Sequence, residues 1–289
     1  MILLMNQDRN ESSEIKRAAL IYDFDGTLAP GNMQEHSFIP AVGMNKEDFW
    51  QEVKSCAKQN DADEILAYMR LMLDKAQQKC LKISKEDLRK HGSRIPLFDG
   101  LEDRSWFNRI DCHGTRNGLK LEHYIISSGL EEMIRGCSIF PIFRHVFASK
   151  FMYEGDIAKW PGAAINYTTK TQYLFRVNKG IDNQWDNETI NQYMAENTRP
   201  IPFDRMIFVG DGLTDIPAMK MVTLQGGCAI AVYNPERSGY DLGKIHQLIA
   251  DNRVDFVAPA DYTESSQMEI IVKGILSRMR RELENSVPI

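Results

Sequence analysis

Short apolar runs with no polar alternation recur along the chain: Ala18-Ala19-Leu20-Ile21-Tyr22, Tyr124-Ile125-Ile126, Val146-Phe147-Ala148, Met206-Ile207-Phe208-Val209 and Cys228-Ala229-Ile230-Ala231-Val232. Unbroken runs of this length suit strands buried on both faces. Helical patterns separate most of them, which predicts βαβ units and a parallel sheet. Residues 31–95 read differently, as helices with no strong strand. Asn45 is placed to cap a helix from Lys46, and Asp61 with Glu64 resembles a capping pair. Ile65, Met69, Met72, Leu73, Ala76 and Cys80 then form one apolar stripe at helical spacing. Ser84 is placed to cap a third helix, with Ile83 and Leu88 as a hydrophobic staple and Gly92 as its stop. A helical block between two α/β strands reads as an inserted domain. Residues 180–204 are polar and carry Pro200 and Pro202, which marks a surface excursion. Ser266 to Glu284, with Ile270, Ile271, Ile275, Met279 and Leu283, predicts an amphipathic closing helix. Met69, Met72, Met133 and Met152 read as core filler.

Composition narrows the classes. The 289 residues are 43% apolar and 26% charged, as in a soluble globular protein. Thirty-five Lys and Arg against 40 Asp and Glu leave a net charge of -5. Nucleic acid and anionic membranes want a basic surface, so neither is expected as a partner. Met1-Ile2-Leu3-Leu4-Met5 is too short for a signal-peptide core, and no apolar run approaches a membrane span. Cys56, Cys80, Cys112, Cys137 and Cys228 are scattered, with no C-x-x-C, and read as reduced, mostly buried thiols of a cytoplasmic protein.

The candidate chemistry lies where the apolar runs end, the edge at which an open parallel sheet binds ligands. The first run ends in Asp23-Phe24-Asp25-Gly26-Thr27, where Gly26 lets the backbone turn so that both acids approach one point. The run at 206–209 ends in Gly210-Asp211-Gly212-Leu213-Thr214-Asp215. The run at 124–126 ends in Ser127-Ser128-Gly129, which resembles a helix start with free N–H groups, a ready anion site. Lys170 opens a helical pattern carried by Leu174 and Val177, where a cation opposes the helix dipole. Taken singly, each has a plainer reading: an acidic turn, an N-cap, a solvated lysine. Taken together, Asp23, Asp25, Asp211 and Asp215 would crowd four negative charges, and like charges at close range protonate one another. A divalent cation and Lys170 reduce the sum to -1. All-oxygen ligation selects a hard ion, and Mg²⁺ keeps waters and accepts a phosphate oxygen. That combination favours phosphoryl transfer.

In this order the four segments resemble the haloacid dehalogenase superfamily. Asp23–Thr27 matches its D-x-D-G-T motif in full, Ser127 its Ser/Thr, Lys170 its lysine, and Gly210–Asp215 its acidic G-D-G-x-x-D motif. The resemblance covers roughly residues 15–30 and 96–260. It implies an α/β fold: a three-layer Rossmann-like core with a central parallel sheet, residues 1–30 and 96–289, and an inserted helical cap domain of the C1 type, residues 31–95. It also implies an Mg²⁺-dependent phosphatase acting on a small phosphorylated metabolite, with no obligate protein partner. Asp23 would be the nucleophile forming an aspartyl-phosphate, and Asp25 the general acid and base. The metal would be held by the Asp23 carboxylate, the Asp25 backbone carbonyl and Asp211, with Asp215 supporting the metal shell or Lys170. Ser127 and Lys170 would hold phosphoryl oxygens, with Ser128 and Lys179 as second choices. Asp25 sets the chain apart from dehalogenases, which lack that acid. The cap position and the stretch Val146–Gly155 resemble phosphoserine phosphatases. That branch places a Glu soon after the first motif, where this chain has Ala29-Pro30-Gly31-Asn32 and reaches Glu35 only later. A phosphomutase would use the same core residues. A phosphoaspartate signalling module is a third reading, set back by its smaller size and lack of a cap.

Overall fold

The strands are apolar throughout because both of their faces are covered. In strand β1 (Lys16–Tyr22), Ala18, Leu20 and Tyr22 enter one apolar cluster, and Ala19 and Ile21 enter another on the opposite face. The computed structural model describes residues 16–212, 214–236 and 242–285. The reading of Met1–Met5 and residue Leu213 of the second acidic segment lie outside them.

After β1 come helices α1 (Phe38–Ala41), α2 (Lys46–Asn60), α3 (Glu64–Gln78) and α4 (Lys85–Gly92). Helix α5 (Ser105–Arg116) leads into β2 (Leu119–Leu130) and the single turn α6 (Glu131–Ile134). Strands β3 (His145–Glu154) and β4 (Ile157–Ala163) form a hairpin, followed by α7 (Lys170–Lys179) and α8 (Asn187–Asn191). The chain closes with β5 (Met206–Gly210), α9 (Ile216–Leu224), β6 (Cys228–Tyr233), α10 (Leu242–Ala250), β7 (Phe256–Pro259) and α11 (Gln267–Asn285).

The seven strands form one sheet in the order β4-β3-β2-β1-β5-β6-β7. All neighbours are parallel except β3 and β4. The result is the three-layer, Rossmann-like α/β architecture, with α5 and α11 on one face and α7 and α9 on the other. From β1 the sheet grows one way through β2 and the other way through β5. The C-terminal end of β1 is therefore the switch point, where loops part and leave a crevice.

The helices at 38–92 use caps close to those expected. Asn45 accepts from Asp48 N, and Ser84 forms a reciprocal capping box with Asp87. The staple residues Ile83 and Leu88 are both buried. The cap of α3 is Asp63, which accepts from Ile65 N and Leu66 N; Asp61 instead ends α2 in a left-handed conformation. Asp63 wins because it stands directly before the helix, where its carboxylate reaches the first free amides.

Several expectations fail at edges. Cys80 lies past the end of α3 and is exposed, as is Cys112, so only Cys137 and Cys228 are buried. Ile270 is 65% exposed on the outer face of α11, while Met268, Val272 and Leu276 take the inner one. Met152 is 60% exposed because β4, beyond β3, is the sheet's end strand. Strands β4 and β7 escaped the sequence reading: β4 carries Pro161 and Gly162, and β7 is short. Among the described residues, no helix is long and apolar enough to cross a membrane.

Helix α4 meets the α6 turn through glycines. A Cβ on Gly92 would strike the Met133 carbonyl, and one on Gly136 the Arg89 carbonyl. Gly274 in α11 is exposed with nothing within 4 Å of its missing Cβ. We expect Gly92→Ala to lower unfolding free energy by about 1–3 kcal/mol through overpacking. Gly274→Ala should raise it by about 1 kcal/mol through helix propensity. Urea unfolding of both variants checks the opposite signs.

Candidate active site

Register brings the distant motifs to one edge. Tyr22 pairs with Ile125 on one side and Val209 on the other, so Asp23, the residues after Ile125 and those after Val209 follow at the same level of the sheet. Asp23 N still donates to Val209 O at 2.9 Å, holding the first acid at the strand end. Beyond it the chain turns sharply: Leu28 N donates to Phe24 O at 2.9 Å and Gly26 N to Ala29 O at 2.8 Å. Gly26 has φ +74°, and a Cβ there would sit 2.5 Å from Asp211 Oδ2. A side chain at 26 would thus be strained by the backbone and would displace the opposing acid. A Cβ on Gly210 would likewise collide with the Asp215 carboxylate. The glycines of both motifs make room for carboxylates.

Asp23, Asp211 and Asp215 each offer a carboxylate oxygen within 4.8 Å of the others. Lys170 is fully buried, and its Nζ donates to Asp23 Oδ2 at 2.9 Å and Asp215 Oδ1 at 2.6 Å. Burial opposes its charge, but Asp215 and Asp23 outweigh that and raise its pKa. The Asp215 carboxyl is pushed up by burial and by Asp23, with Lys170 pulling the other way. Its second oxygen is buried, with no hydrogen-bond partner among the described residues. Asp23 Oδ1 accepts from Phe24 N at 2.7 Å, which fixes the carboxylate plane.

Asp25 stands on the turn, its Oδ1 accepting from Met33 N at 2.9 Å. Burial and the Asp23 charge hold its carboxyl well above the usual range. A Cβ on Gly129 would lie 3.0 Å from Asp25 Oδ2, so Asp25 rests against the Ser127–Gly129 segment. That segment is not a helix start. Strand β2 continues to Leu130, Gly129 N donates to the buried Ser127 Oγ at 3.1 Å, and Leu130 N donates to Met33 Sδ at 3.1 Å. These two amides are occupied, and the anion donor the segment offers is the Ser127 hydroxyl. Ser128 instead presents its carbonyl to Tyr68 OH of α3 at 2.7 Å. Lys179 is remote from the acids and caps carbonyls of Ile190 and Gln192.

The lysine owes its position to Asn166, which the sequence reading missed. Asn166 Oδ1 accepts from Thr168 N at 3.2 Å and Thr169 N at 3.0 Å, and Asn166 N donates to Thr169 Oγ1 at 2.8 Å. This Asx turn starts α7, and N-x-x-T before the helix was its visible signal. The Asn166 amide also donates to Asp63 Oδ2 at 2.6 Å, joining the start of α7 to the cap of α3. Of the other residues in the helical block, Trp50 Nε1 and Asn32 Nδ2 donate to Glu35 Oε1 at 2.8 and 2.7 Å. His36 bonds the Pro30 carbonyl, and Arg70 is an exposed partner of Asp74.

Three convergent carboxylates, one with an orphaned buried oxygen, fit a hard divalent cation ligated only by oxygen. The same edge carries a neutralising ammonium, a buried hydroxyl and a carboxyl biased toward its protonated form. Such a set can take up an oxyanion, attack it and protonate what leaves.

Comparison with known proteins bears on the family and the fold. The model of haloacid dehalogenase-like hydrolases matches residues 20–220, well over half of the chain. An uncharacterized protein of Borreliella burgdorferi is 28% identical, covering 86% of this chain and 93% of its own. Among solved structures, a haloacid dehalogenase family hydrolase from Salmonella enterica serovar Typhi superposes with a TM-score of 0.56 at 16% identity, over 89% of this chain and 70% of that one. A probable phosphoserine phosphatase from Vibrio cholerae gives 0.57 at 13% identity, over 93% and 67%. A substrate-bound phosphoserine phosphatase gives 0.51 at 17%, over 90% and 99%. At these identities the structural likeness is one of fold.

Removing the ammonium from between two buried carboxylates leaves their charge uncompensated. We expect Lys170→Met to cost about 3–5 kcal/mol of stability in metal-free buffer at neutral pH. The deficit should shrink as pH falls, because protonating the carboxyls removes the charge that Lys170 balanced. Lys179→Ala should change stability by less than about 1 kcal/mol. Chemical denaturation across pH measures all three.

Proposed function

The chain belongs to the haloacid dehalogenase-like hydrolase family, and on that premise we propose that it is an Mg²⁺-dependent phosphatase of a small phosphomonoester. The observation that carries this reading is the Lys170 ammonium between Asp23 and Asp215, with Asp211 beside them. Asp23, Asp211 and the Asp25 backbone carbonyl would hold Mg²⁺, and Asp215 would support its shell while orienting Lys170. When bound, the ion neutralises the two anions that meet at Asp23.

The chain's own residues do the rest. Ser127 O–H and Lys170 Nζ hold phosphoryl oxygens. Asp23 attacks phosphorus, the ester P–O bond breaks, and an aspartyl-phosphate forms. Asp25, whose raised pKa keeps a proton in place, gives that proton to the leaving alkoxide. It then takes one from the water that attacks the aspartyl-phosphate, which releases inorganic phosphate and restores Asp23.

Helices α1–α4, within residues 31–95, act as the cap over a core of 1–30 and 96–289. The bond from Tyr68 to the Ser128 carbonyl ties that cap to the phosphate-binding segment. Asp23 is only 4% exposed, so entry requires the cap to lift. The free cysteines suit a reducing cytoplasm.

We expect the protein to release phosphate from para-nitrophenyl phosphate with Mg²⁺ and to stop on chelation. Asp23→Asn should abolish turnover, and Asp25→Asn should reduce kcat by about 10²–10⁴. Full activity in Asp23→Asn would overturn the nucleophile assignment. With labelled substrate, label recovered in an isomerised phosphoester rather than in inorganic phosphate would identify a mutase.

A further inference from the structure

A charged cavity lined by none of the acidic-site residues lies between α4 and the core. Its volume is about 270 Å³, and its walls carry Lys85 and Arg89 from α4, Glu131, Glu132 and Arg135 around α6, and Lys150 from β3. Four cations face two carboxylates, leaving an excess of two positive charges. The pairing is uneven. Glu131 takes Arg135 at 2.7 Å and Lys150 at 3.6 Å. Lys85 rests over the Tyr153 ring at 4.8 Å, and among the described residues no carboxylate pairs with it or with Arg89.

Glu132 is the second, independent feature. It is 6% exposed, and its Oε1 accepts from Phe151 N at 3.0 Å and Tyr153 OH at 2.8 Å. Its Oε2 is buried with no partner among the described residues. A buried carboxylate oxygen left without a hydrogen bond is costly, so the site lacks a donor. A ligand that completes the cavity therefore brings two negative charges for Lys85 and Arg89 and one hydrogen-bond donor for Glu132 Oε2.

We propose that this cavity is a binding site for inorganic phosphate, taken as the hydrogen phosphate dianion and bridging helix α4 to the core. Hydrogen phosphate has both required properties in one small tetrahedron: its oxygens face Lys85 and Arg89, and its P–OH donates to Glu132 Oε2. Sulfate has the charge but no proton at neutral pH, and a phosphomonoester dianion has none on phosphorus either. Both would set an anionic oxygen against the carboxylate, so the same group that accepts hydrogen phosphate rejects them. No residue of the acidic site takes part, and the inference stands independently of the proposed reaction.

Equilibrium dialysis of the full chain against radiolabelled inorganic phosphate, at pH 8 with EDTA, tests the site. We expect saturable binding that sulfate competes at least tenfold less well than unlabelled phosphate. Lys85→Ala with Arg89→Ala, both exposed positions, should weaken binding at least tenfold. Glu132→Gln should bind phosphate and sulfate alike, a loss of discrimination that a merely structural role would not produce. An unchanged isotherm in the Lys85/Arg89 double variant, equal competition by sulfate against the wild type, or no saturation up to about 10 mM, the range of the weakest specific sites, would overturn the proposal. Hydrolysis is not read in any arm, so failure here leaves the catalytic reading untouched.

Discussion

One buried ammonium faces more carboxylates than it can neutralise. Lys170 is fully enclosed and donates to Asp23, to Asp215 and, more weakly, to Thr214 Oγ1, while Asp211 brings a carboxylate oxygen within 4.8 Å of both acids. Stripping these charges of water is expensive, and only close, well-aligned opposition repays it. The rest of the molecule is arranged to keep that opposition close. Register sets the strand ends level, and glycines at 26 and 210 remove the side chains that would hold the acids apart. The residual negative charge is of the kind a hard cation would offset.

The legible parts of the fold were those where one residue type answers one physical demand. Unbroken apolar runs gave β1, β2, β3, β5 and β6 because strands covered on both faces have no polar side to display. Asn45 and Ser84 were readable as caps because each stands next to the amides it serves. The acids were readable because carboxylates flanked by glycine at a strand end have few structural uses, and Lys170 because a cation in the first turn of a helix opposes its dipole.

What escaped depended on partners far away in the chain. Strand β4 holds a proline and a glycine and becomes a strand only by pairing with β3. The Ser127–Gly129 segment reads as a helix start from its composition, yet its amides go to Ser127 Oγ and to the Met33 sulfur, a residue nearly 100 positions earlier. Met152 and Ile270 share the composition of core residues, yet one lies in the outer hairpin of the sheet and the other on the outward face of α11, and both are exposed. Glu132 gave no local signal, since its partners come from β3.

The amide of Asn166 has a mechanical consequence. One end of it fastens the first turn of α7; the other grips the carboxylate that begins α3. Two helices from distant stretches of chain therefore share a rivet, set a few residues from Lys170. Any swing of α3 away from the sheet must either shear that rivet or drag the root of α7 along with it. The ammonium and the helical block are in this way geared together, so displacement of one is felt as torque on the other.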